Sequence, residues 1–143
     1  PIGTVRKLGL KSREAAWQAL YDWIDSYTSN SDYHITAIGT GGNINKLYEL
    51  AVGIADKQMS FKQLKATRAM LKELPLEERM YKLQLNADRA DVIIPASDIY
   101  LNVMKKADAN RILVPDVGLK DGIMNYLYEK NRYQKGRFLI KNS

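Results

Sequence analysis

Apolar residues change their spacing several times along the chain, and each change marks an element. In "LKSREAAWQALYDWIDSY" (10–27), Ala16, Trp17, Leu20, Ile24 and Tyr27 recur at helical intervals, and Ser12 is the expected N-cap. "TSNSD" (28–32) breaks that pattern. Residues 33–38 are rich in β-branched side chains and predict a strand, which runs into Gly39-Thr40-Gly41-Gly42-Asn43. A helix is predicted from about Asn43 to Val52. "MSFKQL" holds a capping box, with Ser60 as N-cap and Gln63 at N3, and Met59 and Leu64 are placed for a hydrophobic staple. The helix it opens stops before Pro75. A second helix starts there, with Pro75 at N1 and Glu77 and Glu78 in the first turn. After a break over 84–87, "PASDIYLNVMKKA" predicts a helix with Pro95 near its start and lysines at its end. "RILV" (111–114) reads as a second strand, "PDVGLKDG" as a turn and "IMNYLYEK" as a final helix. The basic stretch 131–143 has little pattern and is left as a tail.

Two strands of parallel type are few for four or five helices, and a sheet normally needs three or more. "PIGTVRKL" (1–8) is the candidate third strand. The expected class is α/β, with few strands and several helices in a single domain over 1–143. On this reading the domain's remaining strands precede residue 1.

A chain of 143 residues that is 45% hydrophobic is long and apolar enough for one core. No apolar run approaches the roughly 18 residues that cross a membrane, and the N-terminus lacks the apolar segment of a signal peptide. The absence of cysteine rules out disulfides and thiolate metal sites and fits a reducing cytoplasm. With His34 as the only histidine, a His-based zinc site or a Ser-His-Asp triad lacks partners. The net charge of +6 favours an anionic partner such as a nucleotide, polyphosphate or nucleic acid, and equally describes a solvated basic surface.

The glycine loop is the first candidate site. It lacks the Gly-Lys-Ser/Thr ending of a P-loop, and Ile44 stands where a dinucleotide fingerprint needs its third glycine. What remains is general physics. Glycines let backbone N–H groups approach an anion, and the first N–H groups of the next helix point the same way. Thr40 and Asn43 add side-chain donors. A tight turn without a ligand is the alternative. The turn at Gly118-Leu119-Lys120-Asp121-Gly122 is similar: Gly118 is expected at a positive φ, Asp121 as a cap and Lys120 as a possible phosphate contact. Arg89 and Asp91 are expected between two helices as an ion pair, with phosphate contact by Arg89 as the alternative. Glu73, Glu77 and Glu78 read as exposed helix charges.

Three segments taken together, "GTGGNINKLYELA", "EERMYKLQLNADRADVIIPASDIYLNVM" and "RILVPDVGLKDGI", resemble the exopolyphosphatase / guanosine pentaphosphate phosphatase (Ppx/GppA) family in order and spacing. The resemblance runs to about Tyr128 and implies an actin/Hsp70/sugar-kinase-like (ribonuclease H-like) architecture. This chain would be most of the second, C-terminal α/β domain, completed by a missing N-terminal domain. It implies removal of the terminal phosphate from polyphosphate or guanosine pentaphosphate, with Mg²⁺ and a glutamate-activated water. That glutamate and the family's Asp-x-Gly-Gly-Gly-Ser loop fall before this chain, so no catalytic or metal-binding residue is expected within it. By position the resemblance assigns phosphate binding to Gly39, Thr40, Gly41, Gly42, Asn43, Arg89, Gly118, Lys120, Asp121 and Gly122. Lys120 stands where arginine is usual, a single-point donor in place of a fork. A non-catalytic nucleotide- or polyphosphate-sensing module is the second reading. A single-stranded RNA binder using the tyrosines ranks below both, because most tyrosines fall at helical spacing beside core positions. A homodimer through open sheet edges is also expected to be feasible.

Overall fold

The computed structural model describes residues 10–29, 34–53 and 56–140. The stretch 1–8, read as a third strand, lies outside them. Among the described residues nine elements follow in order: α1 (Leu10–Thr28), β1 (Ala37–Ile38), α2 (Gly42–Leu50), β2 (Gln58–Ser60), α3 (Phe61–Glu73), α4 (Leu76–Lys82), α5 (Ala87–Lys106), β3 (Arg111–Leu113) and α6 (Leu119–Ile140). The architecture is mostly helical around a small mixed sheet of order β1-β3-β2. β1 runs parallel to β3, with Ala37 opposite Ile112. The third strand among the described residues is β2, antiparallel to β3 with Met59 opposite Ile112. Sequence reading missed it because the same three residues also lead into the capping box of α3.

β3 shows why the sheet sits where it does. Ile112 is buried while Arg111 and Leu113 point outward, the alternation of a half-buried strand. The inward face meets Ile44 and Leu47 of α2, Leu64 and Leu71 of α3, and Ala90, Ile93 and Met104 of α5, which form one cluster with Met59, Leu85, Ala109 and Val114. Each large aliphatic side chain there contributes roughly 1.5–3 kcal/mol by leaving water.

The capping box at α3 is present on both sides. Gln63 N donates to Ser60 Oγ at 3.2 Å, and the Ser60 amide donates to Gln63 Oε1 at 2.9 Å. Met59 and Leu64, the expected staple, are both fully buried. Ser60→Ala is expected to lower stability by about 1 kcal/mol. A urea midpoint that does not move would show the box to be dispensable.

Several boundaries differ from expectation. Helix α1 starts at Leu10, so Ser12 lies inside it. Its covered side is Trp17, Leu20, Tyr21 and Ile24, whereas Ala16 is exposed and Tyr27 is 72% exposed. Lys106 pairs with Asp25 and sits 5.8 Å from the Tyr21 ring, tying α1 to α5. The strand at 33–38 shrinks to Ala37–Ile38. Pro75 is the N-cap of α4, one place before its predicted position.

Helix α5 carries the largest correction: it begins at Ala87, and Pro95 lies in its interior. An interior proline removes one backbone hydrogen bond and costs about 3 kcal/mol. Two features keep the helix continuous. Asn86 caps its start, and Ala90, Ile93, Ala96 and Ser97 bury one face across the proline. Arg89 and Asp91 therefore share the start of a helix and do not bridge two. Residues at i and i+2 point to different sides of a helix, so the expected pairing is disfavoured there. Residues 131–140, part of the stretch left unassigned in the sequence, form the end of α6.

Candidate functional site

Parallel pairing of β1 with β3 brings their following loops to one end of the sheet. The link is direct: Gly39 N donates to Leu113 O at 2.8 Å. The chain leaves β1 through Gly39-Thr40-Gly41 into α2, and leaves β3 through residues 114–118 into α6. In open α/β sheets, ligands bind beyond the carboxyl ends of the strands. The two candidate loops of the sequence fall at that edge.

Gly39 is buried, and a methyl group on it would lie 2.8 Å from both Ile112 Cδ1 and Ile44 Cγ1. Its bare backbone is what lets α2 approach β3. Gly41 has φ 103° and ψ 169°, a region open essentially to glycine alone. That conformation turns the chain so that Gly41 O accepts the first helical bond, from Asn45 N at 3.1 Å. No side chain caps α2. The N–H groups of Gly42, Asn43 and Ile44 are thus at the free positive end of the helix. Thr40 is exposed and Asn43 half-buried.

Arg89 reaches this end from α5. A methyl group on Gly42 would lie 2.8 Å from Arg89 Nη2 and 3.4 Å from its Cζ, so the guanidinium covers the first residue of α2. Asn86 fixes the start of α5 by accepting from Arg89 N at 2.9 Å. Among the described residues the Arg89 side chain forms no ion pair. The glycine loop, the uncapped helix end and an uncommitted guanidinium therefore meet in one place. Asn86 was missed in the sequence. Its signal was an Asn with Asp88 two residues on, hidden because Pro95 was taken for the helix start.

At the second loop, Gly118 N donates to the Asp121 carboxylate at 2.7 Å. Asp121 caps α6 as expected, and in doing so places a negative charge where an anion would otherwise sit. Gly118 has no positive φ, contrary to expectation; among the described residues the positive-φ glycines are Gly41 and Gly53. Its amide donor, and not an unusual backbone angle, is what the turn uses. Lys120 is exposed in the first turn of α6, and Gly122 meets nothing that would exclude a side chain.

His34 is exposed. The tyrosines depart from expectation: Tyr27, Tyr81, Tyr126 and Tyr128 are 72%, 88%, 64% and 65% exposed. They stand on three different helices, α1, α4 and α6, and not on one strand-like platform. Among the described residues no three or more His, Cys, Asp or Glu side chains are grouped so as to hold a metal ion. No helix among them is long and apolar enough to cross a membrane.

A scan of family models finds no match, and a search of curated proteins finds none either. Solved structures do match. The architecture is that of Ppx/GppA-family structures. The crystal structure of the Aquifex aeolicus family member superposes with a TM-score of 0.59 at 25% identity, over 82% of this chain and 42% of that one. A type II variant of the Aquifex aeolicus Ppx/GppA phosphatase gives 0.56 at 23% identity. An exopolyphosphatase from Cytophaga hutchinsonii gives 0.59 at 21% identity, over 82% of this chain and 43% of that one. The resemblance drawn from the three sequence segments is thereby borne out, and the chain spans less than half the length of these relatives.

Proposed function

We propose that this chain is the phosphate-holding part of an exopolyphosphatase-type hydrolase. The reading rests on one observation: Arg89 lies over Gly42 at the uncapped start of α2, beside a loop whose Gly41 backbone only glycine adopts. A terminal phosphate seated there receives charge-assisted hydrogen bonds from the guanidinium and backbone N–H groups from the helix end. Such bonds are about twice as strong as neutral ones. Phosphoanhydride hydrolysis depends mainly on positioning and on neutralising developing charge, which these groups supply. Thr40, Asn43 and Lys120 extend the donor surface along the same sheet edge for the rest of a polyanion.

The described residues do not assemble a Mg²⁺ site. In this reading the second α/β domain is represented here. The metal ligands, the glutamate that activates water and the other wall of the cleft come from an N-terminal domain of the longer protein. The substrate is inorganic polyphosphate or guanosine pentaphosphate, and the setting is cytoplasmic. The 143-residue chain alone then binds phosphate without hydrolysing it.

The experiment compares the longer protein with this chain on tripolyphosphate. Hydrolysis by the first and binding without turnover by the second is the expected result. A longer protein inactive on both polyphosphate and guanosine pentaphosphate, with Mg²⁺ present, would leave only a sensing module. A chain that fails to bind tripolyphosphate at all would overturn the site itself.

A further inference from the structure

At the other end of the short sheet, the outward face carries different chemistry. Ser60 stands opposite Arg111 in the β2–β3 register. On the other flank Arg111 Nε donates to Thr36 Oγ1 at 3.4 Å. Arg111 is the middle of that row, and no hydrogen bond from either of its Nη atoms is present among the described residues. Beside it opens a cavity of about 290 Å³ lined by His34, Ile35, Thr36, Asp108, Asn110 and Arg111. That volume is just under the range of drug-sized ligand sites, roughly 300–1,000 Å³, and suits a smaller molecule.

The lining residues carry one guanidinium, one carboxylate, a hydroxyl, an amide and an imidazole. Asp108 lies two residues beyond the end of α5, in the left-handed region with φ 51°. Its carboxylate has no ion pair among the described residues. A dianion such as phosphate meets Asp108 as a like charge, and a simple cation meets Arg111 as one. A ligand carrying both charges a few bonds apart satisfies both.

We propose that this cavity binds a small zwitterion of the α-amino acid class. Its carboxylate lies on the Arg111 fork and its ammonium on Asp108, with Thr36 and Asn110 completing the hydrogen bonds. The site is separate from the glycine loop and does not depend on phosphate binding there.

The test is an amide-resolved NMR titration of the protein with glycine and alanine. Acetate, methylamine and inorganic phosphate serve as single-sign controls. Saturable shifts at Thr36 and Asn110 are expected with the amino acids, with affinities at least about tenfold above acetate and methylamine. Arg111→Gln and Asp108→Asn should each weaken glycine by about tenfold or more while leaving the urea midpoint in place. Asn is chosen because it tolerates the left-handed backbone. Acetate binding as well as glycine, unchanged affinity in either variant, or no saturable shift overturns the proposal. Arg89→Gln must leave glycine binding intact, which separates a failure here from a failure of the phosphate site.

Discussion

Arg89→Gln is expected to weaken tripolyphosphate binding by about tenfold to a hundredfold, the loss that follows from removing a hydrogen bond to a charged group worth roughly 1.5–3 kcal/mol. Glutamine keeps most of the side chain and loses the charge and the fork. Fold stability should hardly change, because Arg89 is exposed and only its backbone N–H serves the Asn86 cap. Gly42→Ala provides the sharper comparison. The new methyl would lie 2.8 Å from Nη2, the far end of a flexible side chain, so the guanidinium moves away and the backbone stays. Gly42 does not have a positive φ, so alanine suits the helix and adds about 0.5–1 kcal/mol of stability. Affinity down with stability up is the signature of a guanidinium held in place by the absence of a side chain. Isothermal titration and urea denaturation on the same samples read both. Unchanged affinity in Gly42→Ala would separate Arg89 from the loop.

The largest stability effect is expected at Leu47. This residue is fully buried on α2 and belongs to the cluster that joins α2, α3, α5 and the sheet. Leu47→Ala should cost about 2–5 kcal/mol, the sum of lost transfer free energy and the cavity left behind. Against a total stability of about 5–15 kcal/mol, that is a large fraction. Ile93→Val, at an equally buried position on α5, should cost only about 0.5–1.5 kcal/mol. Chemical denaturation measures both, and equal midpoints for the two variants would mean that α2 is not part of the cooperative core. Tripolyphosphate should bind Leu47→Ala weakly even below its melting range, because α2 carries the loop.

How much of this could be read from the residues depended on how local each signal was. The capping box of α3 was legible, since Ser60 and Gln63 are three positions apart and need nothing else. The glycine loop was legible as a strand-to-helix turn for the same reason. Its meeting with Arg89 was not, because the contact is made between two helices whose spacing no local pattern encodes. β2 was missed because a three-residue strand is too short to show alternation, and its pairing with β3 supplies what the local pattern lacks. Pro95 misled in a specific way. Proline at N1 is common and proline inside a helix is rare, so local preference favoured the wrong start until burial across Ala90, Ile93 and Ala96 outweighed it. The family resemblance was visible in three segments together, because their order and spacing carry what each one lacks.

The β1–β3 pairing also has a consequence in time. Thr36 and Arg111 are 75 positions apart, yet their strands are neighbours. Closing so long a loop is a slow, late event compared with forming the helices between them. The sequence of the glycine loop is complete by Asn43, but Gly39 is anchored only when Leu113 reaches it. During synthesis Gly39 is made 74 positions before Leu113, so the bond that anchors it cannot form until β3 has been made.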